Sequence, residues 1–360
     1  MADLMTATTD SAKLENKYGN FVVPAMKIKS SGKELISTLD LSVVEMDVTL
    51  SLETAGMVII RIGGAYDVES HSFTSKIVSA FKLGTVMTVE LGYLSETTEV
   101  FKGYVAGLGS EFRDVPVLTV KLMDVRKLMM SGGVRRQLYE DKNYSDIFKK
   151  IMSSYSKLCS VVCDATSDEL TSPVSQSTND FDFVNRELIA KGKSDREFFV
   201  VTDKAYFRER GKNKTPIMKA ELGSLLLSFS MMSEYLDTEI NVIGYDPVNA
   251  KSVSSKLKVK SSESQSSVIT PTPQQFFIDA DADSQAKAKA RAGAIAKSIE
   301  MNACFAEGEL VGLPEIIPGR YIEIKDLDPM ADRKYYISEV RHSITEAHFT
   351  TFFETKGWIK

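Results

Sequence analysis

The chain has 360 residues, and at roughly 100–200 residues per domain this length predicts two or three domains with substantial cores. Lys plus Arg number 44, Asp plus Glu number 49, the formal net charge is −5, and 43% of the residues are hydrophobic. This composition excludes a small disulfide scaffold and a chain that is disordered throughout. The net charge disfavours a duplex-binding protein, because phosphate neutralisation needs clustered Lys and Arg in excess.

The N-terminal segment, 1–20, is predicted to be flexible. Its polar sequence lacks the apolar core of a secretory signal, so synthesis is expected to end in the cytoplasm. The most apolar stretch, 225–232, is far shorter than the roughly 20 residues that span a bilayer, so no membrane insertion is expected. The three cysteines form no framework pattern, which fits a reducing compartment and a role as small buried hydrophobes. They are Cys159, Cys163 and Cys304.

Residues 21–123 are predicted to form a first, mainly antiparallel β-domain. Apolar and polar residues alternate fully along 44–53, which is typical of a strand with one wet face. The apolar positions are Val44, Met46, Val48, Leu50 and Leu52, and the polar positions are Glu45, Asp47, Thr49, Ser51 and Glu53. Further strands are predicted at 57–62, 86–92, 99–106 and 115–123, with one helix at 72–83.

Residues 124–215 are predicted to form a small α+β insert. Helices are expected at 126–130, from Ser145 to about Tyr155, and from about Asp180 to Gly192. A hairpin follows, with strands at 197–202 and 205–208.

Residues 216–358 are predicted to form a second β-domain. Its strands are expected at 225–231, 238–245, 252–260, 321–324, 334–344 and 348–355. Between them lie a polar Ser/Pro-rich linker, 261–275, and a helix, 281–300. That helix carries one narrow apolar stripe, formed by Ala288, Ala292, Ile295 and Ile299.

No local motif predicts catalysis, a cofactor or a metal site. Gly192-Lys193-Ser194 lacks the earlier glycine of a phosphate loop, since that position holds Glu187. His342 and His348 lie on strand segments and lack the helical spacing of a metalloprotease, while the cysteines lack zinc-finger spacing. A nucleophile elbow is also missing. The sequence therefore predicts a protein that is not an enzyme and binds no cofactor.

The order of several segments resembles a known family. The segments are GTVMTVELGY (84–93), EVFKGYVAG (99–107), MDVRKLM (123–129), SDIFKKIM (145–152), GELVGLPEIIPGRYIEIKDLD (308–328) and YYISEVRHSITEAHFTTFFE (335–354). Over about 20–358 the chain is similar to the late control protein D family. That family comprises central baseplate hubs of contractile phage tails and the N-terminal region of VgrG proteins of type VI secretion.

The resemblance implies an α+β, mainly β fold with two tail-tube-like antiparallel β-barrel domains and a small α+β insert. It also implies a homotrimeric virion structural protein that adapts a sixfold inner tail tube to a threefold spike and contacts other baseplate proteins. VgrG chains continue into further domains beyond the matching region, whereas the given chain stops at Lys360. The trimeric spike is therefore expected to be a separate polypeptide. The resemblance further implies assembly in the bacterial cytoplasm into a phage tail or contractile injection particle. No sequence motif predicts nucleic acid binding.

Two functional classes remain open at this point: the structural hub, and a baseplate-associated cell-wall hydrolase, with other baseplate adaptors as a further alternative. A hydrolase needs a carboxylate pair or a metal-linked histidine set in a cleft. If copies close one inner barrel, its wall strands must be polar toward the channel. The candidate channel-lining residues are Glu45, Asp47, Thr49, Ser51 and Glu53.

Overall fold

The computed structural model describes residues 3–112, 114–141, 143–166, 173–192, 194–261, 268 and 270–359. The helices are α1 (Ser11–Tyr18), α2 (Leu35–Leu39), α3 (Ser75–Ala80), α4 (Val125–Ser131), α5 (Tyr144–Ser153), α6 (Asp180–Phe183) and α7 (Gln285–Asn302). A 3₁₀ turn, Gly19–Phe21, follows α1, and a π-helical turn, Val184–Ile189, continues α6.

The strands of the first half are β1 (Pro24–Ser30), β2 (Lys33–Glu34), β3 (Ser42–Ser51), β4 (Met57–Gly63), β5 (Tyr66–Asp67), β6 (Ser72–Phe73), β7 (Val86–Tyr93), β8 (Glu96–Glu111) and β9 (Val117–Met123). Those of the insert are β10 (Gln137–Tyr139), β11 (Ser160–Cys163), β12 (Val174–Gln176), β13 (Arg196–Val201) and β14 (Lys204–Glu209). Those that follow are β15 (Pro216–Glu221), β16 (Leu226–Ser233), β17 (Asp237–Asp246), β18 (Lys251–Lys260), β19 (Gln274–Ile278), β20 (Cys304–Val311), β21 (Tyr321–Lys325), β22 (Lys334–Ile344) and β23 (Phe349–Ile359).

The main sheet joins the two predicted β-domains. Among the described residues it has 13 strands, and its principal order is β16-β20-β23-β22-β3-β4-β9-β8-β7-β1-β2. The domains meet where β22 pairs antiparallel with β3. The mainly β fold with large antiparallel sheets is therefore confirmed. Closure of each domain into its own barrel is not seen over the described residues, because this sheet runs continuously from one domain into the other.

We call the segment β16-β20-β23-β22-β3-β4-β9-β8 of this sheet the wall. One face of the wall lies on a large hydrophobic core to which both halves contribute, for example through Val48, Ile60, Leu310 and Phe353. Strand β8 pairs first with β7, up to Tyr104, and then enters the wall by pairing with β9. At Gly103 a Cβ atom would lie 2.3 Å from the carbonyl oxygen of Met123, so only glycine fits where β8 makes this change of partner.

The insert has a core of its own, in which α4 and α5 pack with β13 and β14. Phe148 stacks on Phe207 with ring centroids 4.6 Å apart. The predicted helices and hairpin of the insert are present, with the third helix shortened to α6 and its π-helical continuation. The exact boundaries of the three predicted domains stay a prediction.

A smaller unit, the α7 unit, consists of β17, β18, β19 and α7. Helix α7 packs Ala288, Ala292 and Ala296 on Ile240 and Val242 of the small sheet. The predicted apolar stripe is thus confirmed, and Ser284 caps the helix by accepting a hydrogen bond from the Lys287 amide.

Three expectations differ from the structure. Within the segment predicted to be flexible, 1–20, helix α1 buries Leu14 and Tyr18 in the main core. Helix α3 is shorter than 72–83, because Ser72 and Phe73 pair with β5 as strand β6. The predicted linker ends early, at β19, while 262–267 and 269 lie outside the described residues, as does Lys193. No helix in the described ranges is long and apolar enough to span a membrane.

Candidate channel face of the central sheet

The face of the wall that points away from the core is mainly polar, although Ile59 and Phe352 also lie on it. Successive side chains of a strand point to opposite faces, and the pairing registers place polar residues of all neighbouring strands on the same side. None of them is buried. They are Glu45, Asp47 and Thr49, Arg61, Thr119 and Lys121, Ser228 and Ser230, Glu307 and Glu309, Glu339, Arg341 and Ser343, and Thr350, Glu354 and Lys356. We call this surface the polar face.

The five predicted channel residues are placed in three ways. Glu45, Asp47 and Thr49 lie half-exposed on the polar face. The Ser51 side chain is buried, and its Oγ accepts hydrogen bonds from the amides of the following turn, so the prediction is wrong for this residue. Glu53 is exposed in that turn, beyond the end of β3, where it pairs with Lys356.

The predicted alternation also changes phase at the start of β3. A β-bulge between Val43 and Glu45 turns Val43 into the core and leaves Val44 exposed. A bulge inserts one extra residue into a strand, which shifts the inward and outward positions by one. Val44 was expected to share the buried face with Met46 and Val48, and this expectation is wrong for that reason.

Carboxylates dominate the charge of the polar face. The acidic residues are Glu45, Asp47, Glu307, Glu309, Glu339 and Glu354, and the basic ones are Arg61, Lys121, Arg341 and Lys356. Glu307, Glu354 and Glu339 stand directly opposite one another on β20, β23 and β22. Like charges in this arrangement repel. Burial and the charges of Glu339 and Glu307 together raise the pKa of Glu354, against the opposing charges of Lys356 and Arg341.

The two halves of the wall have the same strand order. In space, one half reads β3-β4-β9-β8 and the other reads β16-β20-β23-β22. If the four strands of each half are numbered in chain order, both halves show the same spatial order: first, second, fourth, third. The wall is a repeat of one four-strand unit, and β22 of one unit pairs with β3 of the other.

The bulges repeat as well. The shift between Val43 and Glu45 in the β3–β4 pair recurs between Leu226 and Ser228 in the β16–β20 pair. The shift beside Gly107 in the β8–β9 pair recurs beside Glu339 in the β22–β23 pair. Because the bulges lie at matching places, each wall residue of one unit can be matched with a residue of the other unit.

Both outer edges of the wall are open. From Gly107 to Glu111, β8 pairs with β9 alone among the described strands. From Ser228 to Ser233, β16 likewise pairs with β20 alone in the described part of the chain. Exposed apolar side chains, among them Leu108 and Met232, lie along these edges.

Comparison with known proteins identifies the family and the fold. The family model described as the Alg8 N-terminal domain matches residues 21–346. The chain belongs to this family. The family's name states a domain and no reaction. No curated protein matches the sequence.

Solved structures of similar fold include tail proteins. A tail protein from Neisseria meningitidis MC58 matches with a TM-score of 0.69 at 11% identity, covering 93% of this chain and 96% of that chain. The 43 kDa tail protein of prophage MuSo2 from Shewanella oneidensis gives 0.69 at 13% identity, covering 92% and 98%. The E. coli c3393 protein, a component of the type VI secretion system, gives 0.56 at 12% identity, covering 93% and 77%. This chain thus has a fold similar to that of these tail proteins.

The histidines and cysteines tested in the sequence lie apart from the polar face. His342 is fully buried, its Nδ1 lies 2.9 Å from the Thr351 Oγ1, and burial lowers its pKa to about 3. His348 is exposed in the turn before β23. Burial raises the pKa of Cys159 and of Cys163 to about 11, so both thiols are protonated at neutral pH. No group of three or more His, Cys, Asp or Glu residues in the described ranges is arranged to hold a metal ion.

The sequence analysis missed four of the six carboxylates on the polar face. Strand β20 was not predicted, although Ala306, Gly308 and Leu310 alternate there with Glu307 and Glu309. This alternation was the available signal. That Glu339 and Glu354 belong to the same row depends on strand pairing, which periodicity alone does not reveal.

Proposed function

We propose that the protein is a structural hub of a contractile tail or injection-system baseplate. In this proposal it is a homotrimer of the late control protein D and VgrG type, between a sixfold inner tube and a threefold spike. One observation carries the proposal: the wall is a tandem repeat of one four-strand unit, open at both edges. The likeness of the fold to phage tail proteins and to a type VI secretion component supports it.

The joint inside the chain is the model for joints between chains. Within the chain, the third wall strand of one unit, β22, pairs with the first wall strand of the other, β3. The strands left open are again a third wall strand, β8, and a first wall strand, β16. The same joint can therefore form between β8 of one copy and β16 of the next.

The bulges supply the register of this joint. Counted from the matching bulges, Gly109 corresponds to Arg341, and Met232 corresponds to Thr49. Arg341 lies directly opposite Thr49 in the internal joint. We therefore expect Gly109 of one copy to lie opposite Met232 of its neighbour.

Pairing of these edges makes the assembly a ring. Unpaired strand edges favour association, and a head-to-tail contact whose rotation closes gives a cyclic oligomer. With three copies, as the family resemblance implies, the ring holds six equivalent units. Six units match a sixfold tube, and three chains match a threefold spike.

The polar face becomes the channel lining in such a ring. The core covers the other face of the wall, so the polar face is the one left for a water-filled lumen. Glu45, Asp47 and Thr49 then line the channel with the other residues of that face, and Glu53 lies at its rim. The excess of carboxylates gives the lumen a negative potential, which disfavours adhesion of anionic cargo to the wall.

We assign the protein a structural and non-enzymatic role without a cofactor, made in the bacterial cytoplasm and carried in the particle baseplate. Its partners in this proposal are the inner-tube protein, the spike and other baseplate proteins. The buried His342 and the protonated cysteines support this role, because neither kind of group is poised for chemistry at neutral pH.

Disulfide trapping tests the joint. Gly109→Cys is combined with Met232→Cys in a Cys304→Ala background, since a Cβ at Gly109 meets only the Thr119 Cβ, at 4.0 Å. We expect oxidation to link copies in hub assembled with spike, with the largest covalent species at three times 39.9 kDa. The matched control pairs Gly109→Cys with Ser228→Cys, roughly 13 Å out of register, and should not link.

Three results would contradict the proposal. A ladder that continues past the trimer would refute a three-chain ring. Equal linking of the control pair, or no linking in assembled hub, would refute the β8–β16 joint. Electron microscopy of the assembly should show six similar wall units around one channel.

A further inference from the structure

An aromatic cluster lies at one end of the wall. The rings of Tyr66, Phe73 and Phe112 contact one another, with centroid distances of 5.2, 5.6 and 5.9 Å. Tyr66 and Phe73 pair across the β5–β6 hairpin, whereas Phe112 follows β8. Two exposed valines, Val68 and Val115, lie in the same two turns as these rings. We call these five residues the end patch.

The end patch is exposed although it is apolar. Phe112 and Val115 are each 63% exposed, and Val68 is 71% exposed. Scattered exposed apolar residues are ordinary, but contiguous apolar side chains with aromatic rings are typical of interaction sites. Large aromatic side chains also supply much of the binding energy at such sites.

Carboxylates surround the end patch. Asp67, Glu69 and Asp114 lie exposed in the same two turns. Hydrogen bonds from the Ser70 hydroxyl and from the amides of Glu69 and Ser70 lower the pKa of Asp67. The Asp67 carboxylate therefore stays charged throughout the neutral range. By sequence the rim of the patch is acidic, since its three carboxylates outnumber Arg113, which lies outside the described residues.

The end patch lies at the end of the wall that is opposite the insert and the α7 unit. At this end β4 stops at Gly63 and β9 begins at Val117, both joined by short turns. At the opposite end β9 leads into the insert at Asp124 and β16 leads into the α7 unit at Asp237. A ring that continues the wall axially can reach the strand ends only where no further unit covers them.

We propose that the end patch docks the inner-tube ring, through an apolar side chain that the tube presents between Lys or Arg residues. The apolar centre fits the apolar side chain, and the acidic rim fits the flanking cations. This inference rests on the proposed hub function. It concerns the axial contact of the ring and not the lateral β8–β16 joint.

The β5–β6 turn, which carries Tyr66, Val68 and Phe73, is held by its own hydrogen bonds. Asp67 Oδ1 accepts a hydrogen bond from the Glu69 amide at 2.9 Å, and Asp67 Oδ2 accepts one from the Ser70 hydroxyl at 2.8 Å. The amide of Thr74 donates to the Ala65 carbonyl at 2.8 Å, which closes the base of the loop. Preordered loops lose less conformational freedom on binding.

Two variants test the proposal, with purified inner-tube subunits of the same particle as the probe. Phe112→Ser with Val115→Ser removes apolar area, and Asp67→Lys with Asp114→Lys reverses the rim. We expect each pair to weaken tube binding at least about tenfold. The loss from charge reversal should shrink at high salt. The matched control is Val134→Ser with Leu138→Ser, two exposed residues of the insert, and it should bind the tube like the unmodified chain.

The oligomeric state of each variant is measured in parallel. Weaker tube binding by hub whose trimer is intact supports the end patch. Unchanged tube binding overturns it, and so does loss of spike binding in place of tube binding. Loss of the trimer in the patch variants also overturns it, because the patch then belongs to the lateral joint. Failure of the unmodified chain to trimerise would instead count against the proposed hub function, and the comparison of tube binding among variants would still decide the patch.

Discussion

The insert and the α7 unit are held in the fold by different kinds of ion pair. Arg208 of the insert is buried, binds Glu197 at 3.0 Å, and donates from Nη2 to the Gly319 carbonyl at 2.5 Å. The α7 unit instead contacts the insert through Lys297 and Glu209, at 3.3 Å, with both side chains largely exposed. A buried ion pair that loses one partner leaves an unsolvated charge, whereas an exposed pair is replaced by water. The buried ion pair of the insert is therefore costly to break, whereas the ion pair between the α7 unit and the insert is replaceable.

The largest effect is expected at the root of the insert. Arg208→Ala removes the partner of the fully buried Glu197 and should lower the free energy of unfolding by about 3–5 kcal/mol. Denaturant titration measures this. The matched control is Lys212→Ala, whose pair with Asp164 is exposed and should cost less than about 1 kcal/mol. Equal losses in the two variants would remove the distinction between buried and exposed attachment.

A second buried ionisable group lies inside the main sheet, at His342. Its pKa in the folded chain, about 3, lies below the ordinary value of 6.5, so the unfolded chain takes up the proton first as the pH falls. Below pH 6.5 the stability should therefore decrease by about 1.4 kcal/mol per pH unit more than in a His342→Gln variant, until about pH 3. The difference between the two unfolding curves isolates this group. Parallel curves would contradict a neutral buried imidazole.

A smaller effect is expected where the α7 unit contacts the insert. Lys297→Ala should cost about 0.2–1 kcal/mol, and the cost should fall as salt is added. Lys289→Ala, at an exposed position on the same helix, serves as the control and should leave stability unchanged. Thermal unfolding at two salt concentrations measures both. A cost as large as that of Arg208→Ala would mean that the α7 unit is rooted as firmly as the insert.

The smallest effect is a gain in stability on the polar face. Glu354→Gln removes repulsion from Glu339 and Glu307 and should stabilise the fold by roughly 0.2–1 kcal/mol at neutral pH. Because its pKa is raised in the fold, the carboxyl destabilises the fold as the pH rises and it ionises. The gain should thus vanish in acid. Glu69→Gln, in an exposed turn, is the control, and a loss of stability in Glu354→Gln would contradict the repulsion.

Periodicity predicted the local elements well and the joints between them poorly. Strand β22 matches its predicted range, 334–344, and helix α7 carries its predicted stripe. Local side-chain alternation encodes these elements. Strand β15 pairs in parallel with β21 more than 100 residues later, and β22 pairs with β3 from the far end of the chain. Such pairings arise from packing of the whole core.

The channel candidates show the same limit. The alternation in β3 predicted Glu45, Asp47 and Thr49 correctly as outward residues. It could not predict that Ser51 folds back to accept hydrogen bonds from its own turn. Nor could it place the bulge at Val44, because a bulge depends on the partner strand as much as on the strand itself.

The repeat of the four-strand unit has a consequence for assembly kinetics. In the proposed ring of six units, every second joint is already made within a chain, as β22 with β3. Linking two units in one polypeptide gives them a high effective concentration for each other. Only alternate joints then depend on encounter between free molecules. A chain of two units therefore builds a six-unit ring in fewer collisions than six separate subunits would need, and it fixes the order in which unlike units alternate.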